Sequence, residues 1–401
     1  MNLLRLSWTY LWSRPLVTLL NLLLLTLGLG AVSFVLLASE QIEASVQKDL
    51  SGIDLVVGAK GSPMQLILAG VFHLDVPTGN IPLGAVAQLR AHPMVGQVVP
   101  ISLGDSYRGY RIVGTTPDYL SHYHAEIADG RAWSRPLEAV VGAEVARTAG
   151  LKAGDRFAGV HGLGGEGEAH GDTPYTVTGV LRPTGTVVDR LILTDLASVW
   201  EVHEAATAVD EEDRQLLAEE REVTLLLVRY RTPLAAVSLP RWVNSQAELQ
   251  SAAPALETAR LLRMVGVGTD VLRGFGAVLL LVAALSVFIG LYHAVRERGN
   301  DLAMLRMLGA PPRRLAWLVG MEAFWLAALG TAMGLALGHG LTALLGSILQ
   351  AQRSLPLDGW AWVPAEWAIP PAALALACAS AALPAWQAYR LDVTRLLQAP
   401  R

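Results

Sequence analysis

Histidines close to carboxylates are the side chains of this chain that could hold a metal ion. His122 and His124 alternate. His161 and His170 flank a glycine-rich loop carrying Glu166, Glu168 and Asp172, and His73 lies earlier in the sequence. Two or more histidines with carboxylates make a zinc ligand set. Their spacing here matches no standard site, and a loop this rich in glycine is ordinarily only a connection. No metal is therefore expected, and His122, His124, His161 and His170 are the residues to watch. Other chemistries fail on motif: there is no Gly-x-Ser-x-Gly elbow, no His-Glu-x-x-His pair and no Gly-x4-Gly-Lys-Ser/Thr phosphate loop. The single cysteine, Cys378, excludes an intramolecular disulfide and reads as a small packing residue. Glu322 and His339 sit inside an apolar stretch, where an ionisable group is a functional hypothesis by default. Glu322 lies only about two turns from an arginine-rich border. Its expected role is structural, paired with Arg306 or Arg313.

The elements that must position these residues are dominated by four apolar stretches: Pro15–Leu37, Gly274–Val295, Leu315–Leu349 and Pro370–Tyr389. Each reaches the roughly 20 residues that a hydrocarbon core about 30 Å thick requires. The chain is 52% hydrophobic and 16% charged, too apolar for a typical soluble protein and too mixed for an all-membrane one. A net charge of −4 gives no reason to expect a nucleic-acid partner. The first stretch exceeds a signal-peptide core and lacks a small-x-small cleavage site, so it reads as an uncleaved anchor. The expected layout is an amphipathic segment at 1–14, spans at 15–39, 274–295, 315–349 and 370–389, and a large folded insert at 40–273. A hinge at 296–314, a loop at 350–369 and a tail at 390–401 complete it.

Arginines set the orientation, because cytoplasmic flanks carry the Lys/Arg excess. Arg5 and Arg14 precede the first span. Arg296, Arg298, Arg306, Arg313 and Arg314 lie between the second and third, and Arg390, Arg395 and Arg401 follow the fourth; the loop between the third and fourth has only Arg353. Both termini and the hinge are therefore expected inside, and the insert outside. Trp8, Tyr10 and Trp12 suit an interfacial helix on the inner side, and Trp360, Trp362 and Trp367 the outer interface.

Within the insert, short alternating runs read as strands: Gln97–Ile101, Tyr110–Val113, Ala139–Val141, Tyr175–Leu181 and Val223–Tyr230. Leu83–His92 and Glu144–Gly150 read as helices, the second ended by Gly150, giving an α+β domain. Ser39–Leu50 and Arg241–Arg273, including Ala247–Leu262, read as helical stalks joining the domain to the spans. The acidic run Glu201–Glu222 reads as a solvated face.

The hinge residues Arg296, Glu297, Arg298, Asp301, Leu302, Leu305, Arg306, Leu308, Gly309, Arg313 and Arg314 describe a short amphipathic helix. Asn300 or Asp301 is placed to cap it, Gly309 to end it, and Pro311 or Pro312 to open the next helix. Leu302, Leu305 and Leu308, with Met304, give it an apolar face that needs a partner to cover it. Gly330, Gly334 and Gly338 repeat every four residues in the third span and allow close helix contact, within the chain or across a dimer.

The hinge Glu297–Gly309, continuing to Glu322-Ala323, closely resembles FtsX/MacB-type permeases of ABC transporters. Leu3-Arg5-Leu6-Trp8 with Arg14-Pro15, and Pro384–Asp392, fit the same pattern, although Val393 stands where these permeases often have proline. Arg111–Tyr119, Gly130-Arg131, Val140–Gly142, Gly150–Asp155 and Tyr175–Thr184 resemble successive blocks of the MacB periplasmic core domain. Asp54–Gly61 and Phe72–Pro82 look like signatures of a subgroup.

The resemblance implies a four-span helical membrane protein of the bacterial inner membrane, with a MacB-like α+β periplasmic domain between the first and second spans. It implies mechanotransmission: two copies of a separate cytoplasmic ATPase, holding ATP and magnesium, drive the hinge. This chain itself binds no cofactor and catalyses nothing. A second permease copy, identical or not, membrane lipids, and a periplasmic adaptor or substrate-binding protein are the other implied partners. Export or extraction of a substrate is the first functional expectation. Activation of a periplasmic cell-wall hydrolase, as FtsX-like proteins do, and zinc-linked transport are the alternatives.

Overall fold

A computed structural model of the chain describes residues 3–162, 173–207, 213, 217–218, 220–351 and 357–391. It divides into two compact units. One comprises Met1–Glu43 with Met264–Arg401, and the other Ala44–Arg263.

Among the described residues of the first unit and its borders, four helices are long and apolar enough to cross a membrane: Pro15–Leu50, Pro254–Glu297, Pro312–Gln350 and Pro364–Tyr389. A short helix, Leu3–Leu11, precedes them, and Gly299–Met307 forms the hinge helix. Three of these helices are longer than a bilayer needs: the first runs on without a break to Leu50, the second begins at Pro254, and the third runs from Pro312 to Gln350. Leu22, Leu25, Ala283, Val287, Leu326 and Ala381 are among the buried residues of their shared core. Asn21 accepts a hydrogen bond from the Ser286 hydroxyl at 2.6 Å, a polar tie between the first and second helices where hydrocarbon offers no alternative partner.

The second unit is built on a mixed sheet. Its strands are β1 (Leu55–Ala59), β2 (Ile81–Pro82), β3 (Val95–Tyr107), β4 (Tyr110–Thr115), β5 (Ile127–Gly130), β6 (Glu138–Val141), β7 (Arg156–Phe157), β8 (Val160–His161), β9 (Tyr175–Leu181), β10 (Ile192–Asp195), β11 (Glu222–Val223), β12 (Leu225–Tyr230) and β13 (Leu249–Ala252). The main order is β13-β1-β12-β3-β4-β10-β6-β9-β5, with β7 on β9 and β8 on β3; β11 and β2 pair separately. The pairs β4–β10 and β6–β9 are parallel and the others antiparallel. β9 alternates buried and half-buried residues along its whole length, the period of two that a half-covered strand requires. The helix Ala143–Ala149 ends on Gly150 at φ +75°, a left-handed turn that suits glycine.

One expected element is corrected. Ala247–Leu262 is not one stalk helix. Arg241–Ser245 belongs to the helix Ala235–Ser245, Leu249–Ala252 is the edge strand β13 on β1, and only from Pro254 does the long helix begin. Leu249 and Ala252 bury their side chains, and Ser251 is tied to Asn244 through its amide at 2.7 Å.

Glu138, buried at the start of β6, collects Arg131 at 2.7 and 2.8 Å, Arg135 at 2.9 Å and the Ser134 amide at 2.9 Å. The hydrogen bonds from Arg131 foremost hold its carboxyl well below the usual range, against the effect of burial. A depressed carboxylate contributes stability that is complete above the unfolded value, near 4.3, and is lost as pH falls below it. Thermal unfolding of the full chain in detergent is therefore expected to weaken below about pH 4. Glu138→Gln is expected to be less stable at neutral pH and to show a shallower acid decline; an unchanged pH profile in that variant contradicts the assignment.

Candidate functional site

The hinge lies at the arginine-rich end of the first unit. Its helix starts at Gly299, with Arg298 at the cap position and no side-chain capping bond, so neither Asn300 nor Asp301 caps it; both lie in its first turn. Its end is a Schellman turn: the Gly309 amide donates to Arg306 O at 3.0 Å and the Ala310 amide to Leu305 O at 3.0 Å, with Gly309 at φ +93°. Pro312 then opens the next helix.

The helix has two faces, and they divide differently from the expectation. Leu302 and Ala303 are buried in the helical core, and Leu305 is half-buried against it. Leu302 thus leaves the outward apolar face. Met304, Met307 and Leu308 form that face, and Leu308 is 85% exposed. Their spacing of three and four residues is one helical stripe; Met307 is the member that sequence reasoning passed over. Arg296, Glu297, Asp301, Arg313 and Arg314 are exposed beside it.

Polar contacts fasten the inner face. Arg298 Nη1 donates to Glu322 Oε1 at 2.8 Å, with both side chains largely buried. Its Nη2 donates to Tyr10 O at 2.6 Å and to Ser13 Oγ at 2.7 Å, and the guanidinium sits 4.5 Å from the Tyr10 ring centroid. Glu322 therefore pairs with Arg298, which corrects the expected partners. Arg306 instead donates to Leu391 O at 2.9 Å, and Arg313 is exposed. Arg14 and Glu297 form a further ion pair. One arginine thus joins the lead helix, the hinge and the third long helix.

The glycine stripe faces the first long helix of the same chain. A Cβ built at Gly330 would stand 2.8 Å from Leu25 Cβ, one at Gly334 2.7 Å from Leu29 Cβ, and one at Gly338 2.6 Å from Ser33 Cβ. Beyond that stripe lies a buried polar cluster. Ser33 Oγ donates to Glu366 Oε1 at 2.7 Å, and His339 Nε2 stands 3.3 Å from the same oxygen. His339 Nδ1 lies 2.7 Å from Gly359 O.

The metal candidates do not converge. His122 lies against Gly52, and burial, followed by the nearby Arg229 and His124, lowers its imidazole below its ordinary value. His124 has φ +51° in the turn after the helix Asp118–His122. His161 Nδ1 pairs with Asp105 at 2.9 Å, and His73 Nε2 with the Tyr119 hydroxyl at 3.2 Å. His170 lies outside the described residues, as do Glu166, Glu168 and Asp172. Among the described residues no three histidine, cysteine or carboxylate groups are placed to hold an ion. The two subgroup segments do meet, Thr78 Oγ1 donating to Ala59 O at 3.0 Å, and the second is also held to β4, where Arg111 Nη2 donates to Asp75 O at 2.8 Å.

Comparison with known proteins gives a consistent answer. The model of the FtsX-like permease C-terminal region matches residues 273–393, and that of the MacB-like periplasmic core domain matches residues 18–237. Proteins of Mycobacterium tuberculosis and Mycobacterium bovis, each described as an uncharacterised ABC transporter permease, are 24% identical over 331 residues, covering 81% of this chain and 80% of theirs. Among solved structures, the periplasmic region of MacB from Actinobacillus actinomycetemcomitans covers 54% of this chain and 97% of its own, at 12% identity and TM-score 0.35. The extracellular domain of the ABC-type transporter YknZ from Gram-positive bacteria covers 50% and 98%, at 14% identity and TM-score 0.31. The core-domain match alone spans more than half of the 401 residues, and the chain belongs to the FtsX/MacB-type ABC transporter permeases.

Proposed function

We propose that this chain is the mechanical half of an ABC transporter, driven through the hinge helix by an ATPase carried on a separate polypeptide. The observation that carries this reading is the division of that helix. Leu302, Arg298 and Arg306 fasten it to the bundle, whereas Met304, Met307 and Leu308 stand uncovered between Arg296 and Arg313-Arg314. An uncovered apolar stripe flanked in sequence by exposed charges of both signs suits a docking face, and one fixed on its other side would hand a displacement to the helices behind it. The chain has no phosphate loop, so ATP and magnesium belong to the partner.

The arginine distribution supports a cytoplasmic hinge and termini and a periplasmic Ala44–Arg263 unit in an inner membrane. Two ATPases and a second permease copy complete the assembly in this reading. Its work is delivered outside, as export or extraction of a substrate from the periplasm or outer leaflet, with an adaptor or binding protein as a further partner.

The test replaces Met304, Met307 and Leu308 together with glutamate in the full chain, purified in mild detergent from its own cells. ATP hydrolysis is expected to co-elute with the wild type and to be lost from the triple variant, while the variant elutes as a monodisperse membrane protein. Wild-type chain that never carries ATP hydrolysis, or a triple variant that keeps all of it, overturns the proposal.

A further inference from the structure

A cavity of about 220 Å³ opens in the second unit between β3, β11 and the helix Leu196–Thr207. It exists because small residues floor it. Ser102 lies opposite Gly114 on β4, where a Cβ would meet Val199 at 2.6 Å, and Thr224 stands between β11 and β12. Thr224 is already engaged: its hydroxyl donates to Asn80 Oδ1 at 3.1 Å and accepts from the Leu103 amide at 2.9 Å. Ser102 is different. Only 3% exposed, it lines the cavity, and its hydroxyl has no hydrogen-bond partner among the described residues. A buried hydroxyl of this kind is costly unless something in the cavity completes it.

The walls define what that something is. Trp200 is held in place by its indole N–H, which donates to Glu222 O at 2.8 Å, and by Arg221, whose guanidinium lies 4.9 Å from the ring centroid. Trp200, Val199 and Leu217 supply apolar surface. Glu220 and Glu222 stand exposed at the mouth against one cation already laid on Trp200, so an anion is disfavoured there. The floor offers a hydroxyl, which neither neutralises a charge nor rejects an alcohol. At about 30 Å³ per water, the volume holds roughly seven waters, the space of a single small ring.

We propose that this cavity binds one uncharged sugar ring. A ring hydroxyl completes Ser102, its other hydroxyls reach the mouth carboxylates and the Asn80 amide, and its C–H face lies on the apolar wall. The lining is mixed, polar side chains converging beside an apolar wall, which suits a ligand with hydroxyls on its edge and C–H groups on its face. The site is independent of the ATPase reading, since it asks only that the outer unit recognise a polyol.

The test uses the full chain in a detergent without a sugar headgroup, with glucose as the probe and glucuronate as its anionic counterpart, followed by saturation-transfer NMR and calorimetry. Saturable binding of glucose at about millimolar Kd is expected, with glucuronate at least about tenfold weaker. Ser102→Val should abolish it. Because that position is buried and the variant could misfold, Leu217→Trp fills the cavity from a half-exposed wall and should abolish it too. No saturation with the wild type, glucuronate binding as tightly, or Leu217→Trp binding as the wild type does would each overturn the proposal.

Discussion

Arg298→Ala is expected to destabilise the helical unit by about 3–5 kcal/mol, the range for removing one partner of a buried ion pair. The loss is not the worth of the pair. It is dominated by what stays behind: Glu322, with its side chain 6% exposed, without the donor that Arg298 supplies. Glu322→Ala should cost less than Arg298→Ala, because Arg298 keeps its Tyr10 and Ser13 acceptors and its place on the Tyr10 ring. Glu322→Gln keeps an acceptor for Arg298 and should be the mildest of the three. At about 2–4 °C per kcal/mol for a unit of this size, the arginine variant should melt roughly 6–20 °C lower in detergent, followed by tryptophan fluorescence. An Arg298→Ala chain that melts with the wild type would show that the pair is solvated rather than buried.

The glycine seam yields the second large effect. A Cβ at Gly334 would stand 2.7 Å from Leu29 Cβ and 3.2 Å from the Gly30 backbone nitrogen, and a backbone atom cannot swing aside. Gly334→Ala should therefore cost about 1–3 kcal/mol by overpacking, and Gly334→Leu should keep the first and third helices apart. Gly340 is the internal control. It lies on the same helix, is exposed, and has nothing within 4 Å of its built Cβ. Gly340→Ala should be neutral or slightly stabilising, since alanine is favoured over glycine in a helix by about 1 kcal/mol. Cysteine cross-linking between the first and third helices reads the contact directly. Equal melting of Gly334→Ala and Gly340→Ala would remove the seam from the account.

The alternating β9, the Gly150 stop and the Schellman turn at Gly309 were legible because each follows from local residue type. β13 was not: four residues between alanine-rich neighbours carry no period of their own, and pairing with β1 makes them a strand. The hinge faces were misdivided because both sides of a nine-residue helix are apolar, and which side is inward depends on Leu11, Val295 and Leu315 from other elements. Counting arginines located a positive border but could not choose among them. Arg298 was selected by Tyr10 and Ser13, nearly three hundred residues away. The Glu366 cluster was equally invisible, because Ser33 is 333 residues distant and the intervening sequence says nothing of their meeting.

That last cluster fixes the helices against sliding. Moving the first helix by a single turn, 5.4 Å, would withdraw Ser33 from Glu366 and present Leu29 or Leu37 to the notch that Gly338 leaves. The notch is tight, since even a Cβ built on Gly338 would stand 2.6 Å from Ser33 Cβ; a leucine does not fit there, and the carboxylate would lose its hydroxyl. The notch at Gly338 and the Ser33–Glu366 contact thus oppose axial slippage of the first helix against the third and fourth. If the proposed ATPase drives them, a displacement that enters is expected to emerge as tilt or rotation of these helices together, one lever rather than a piston.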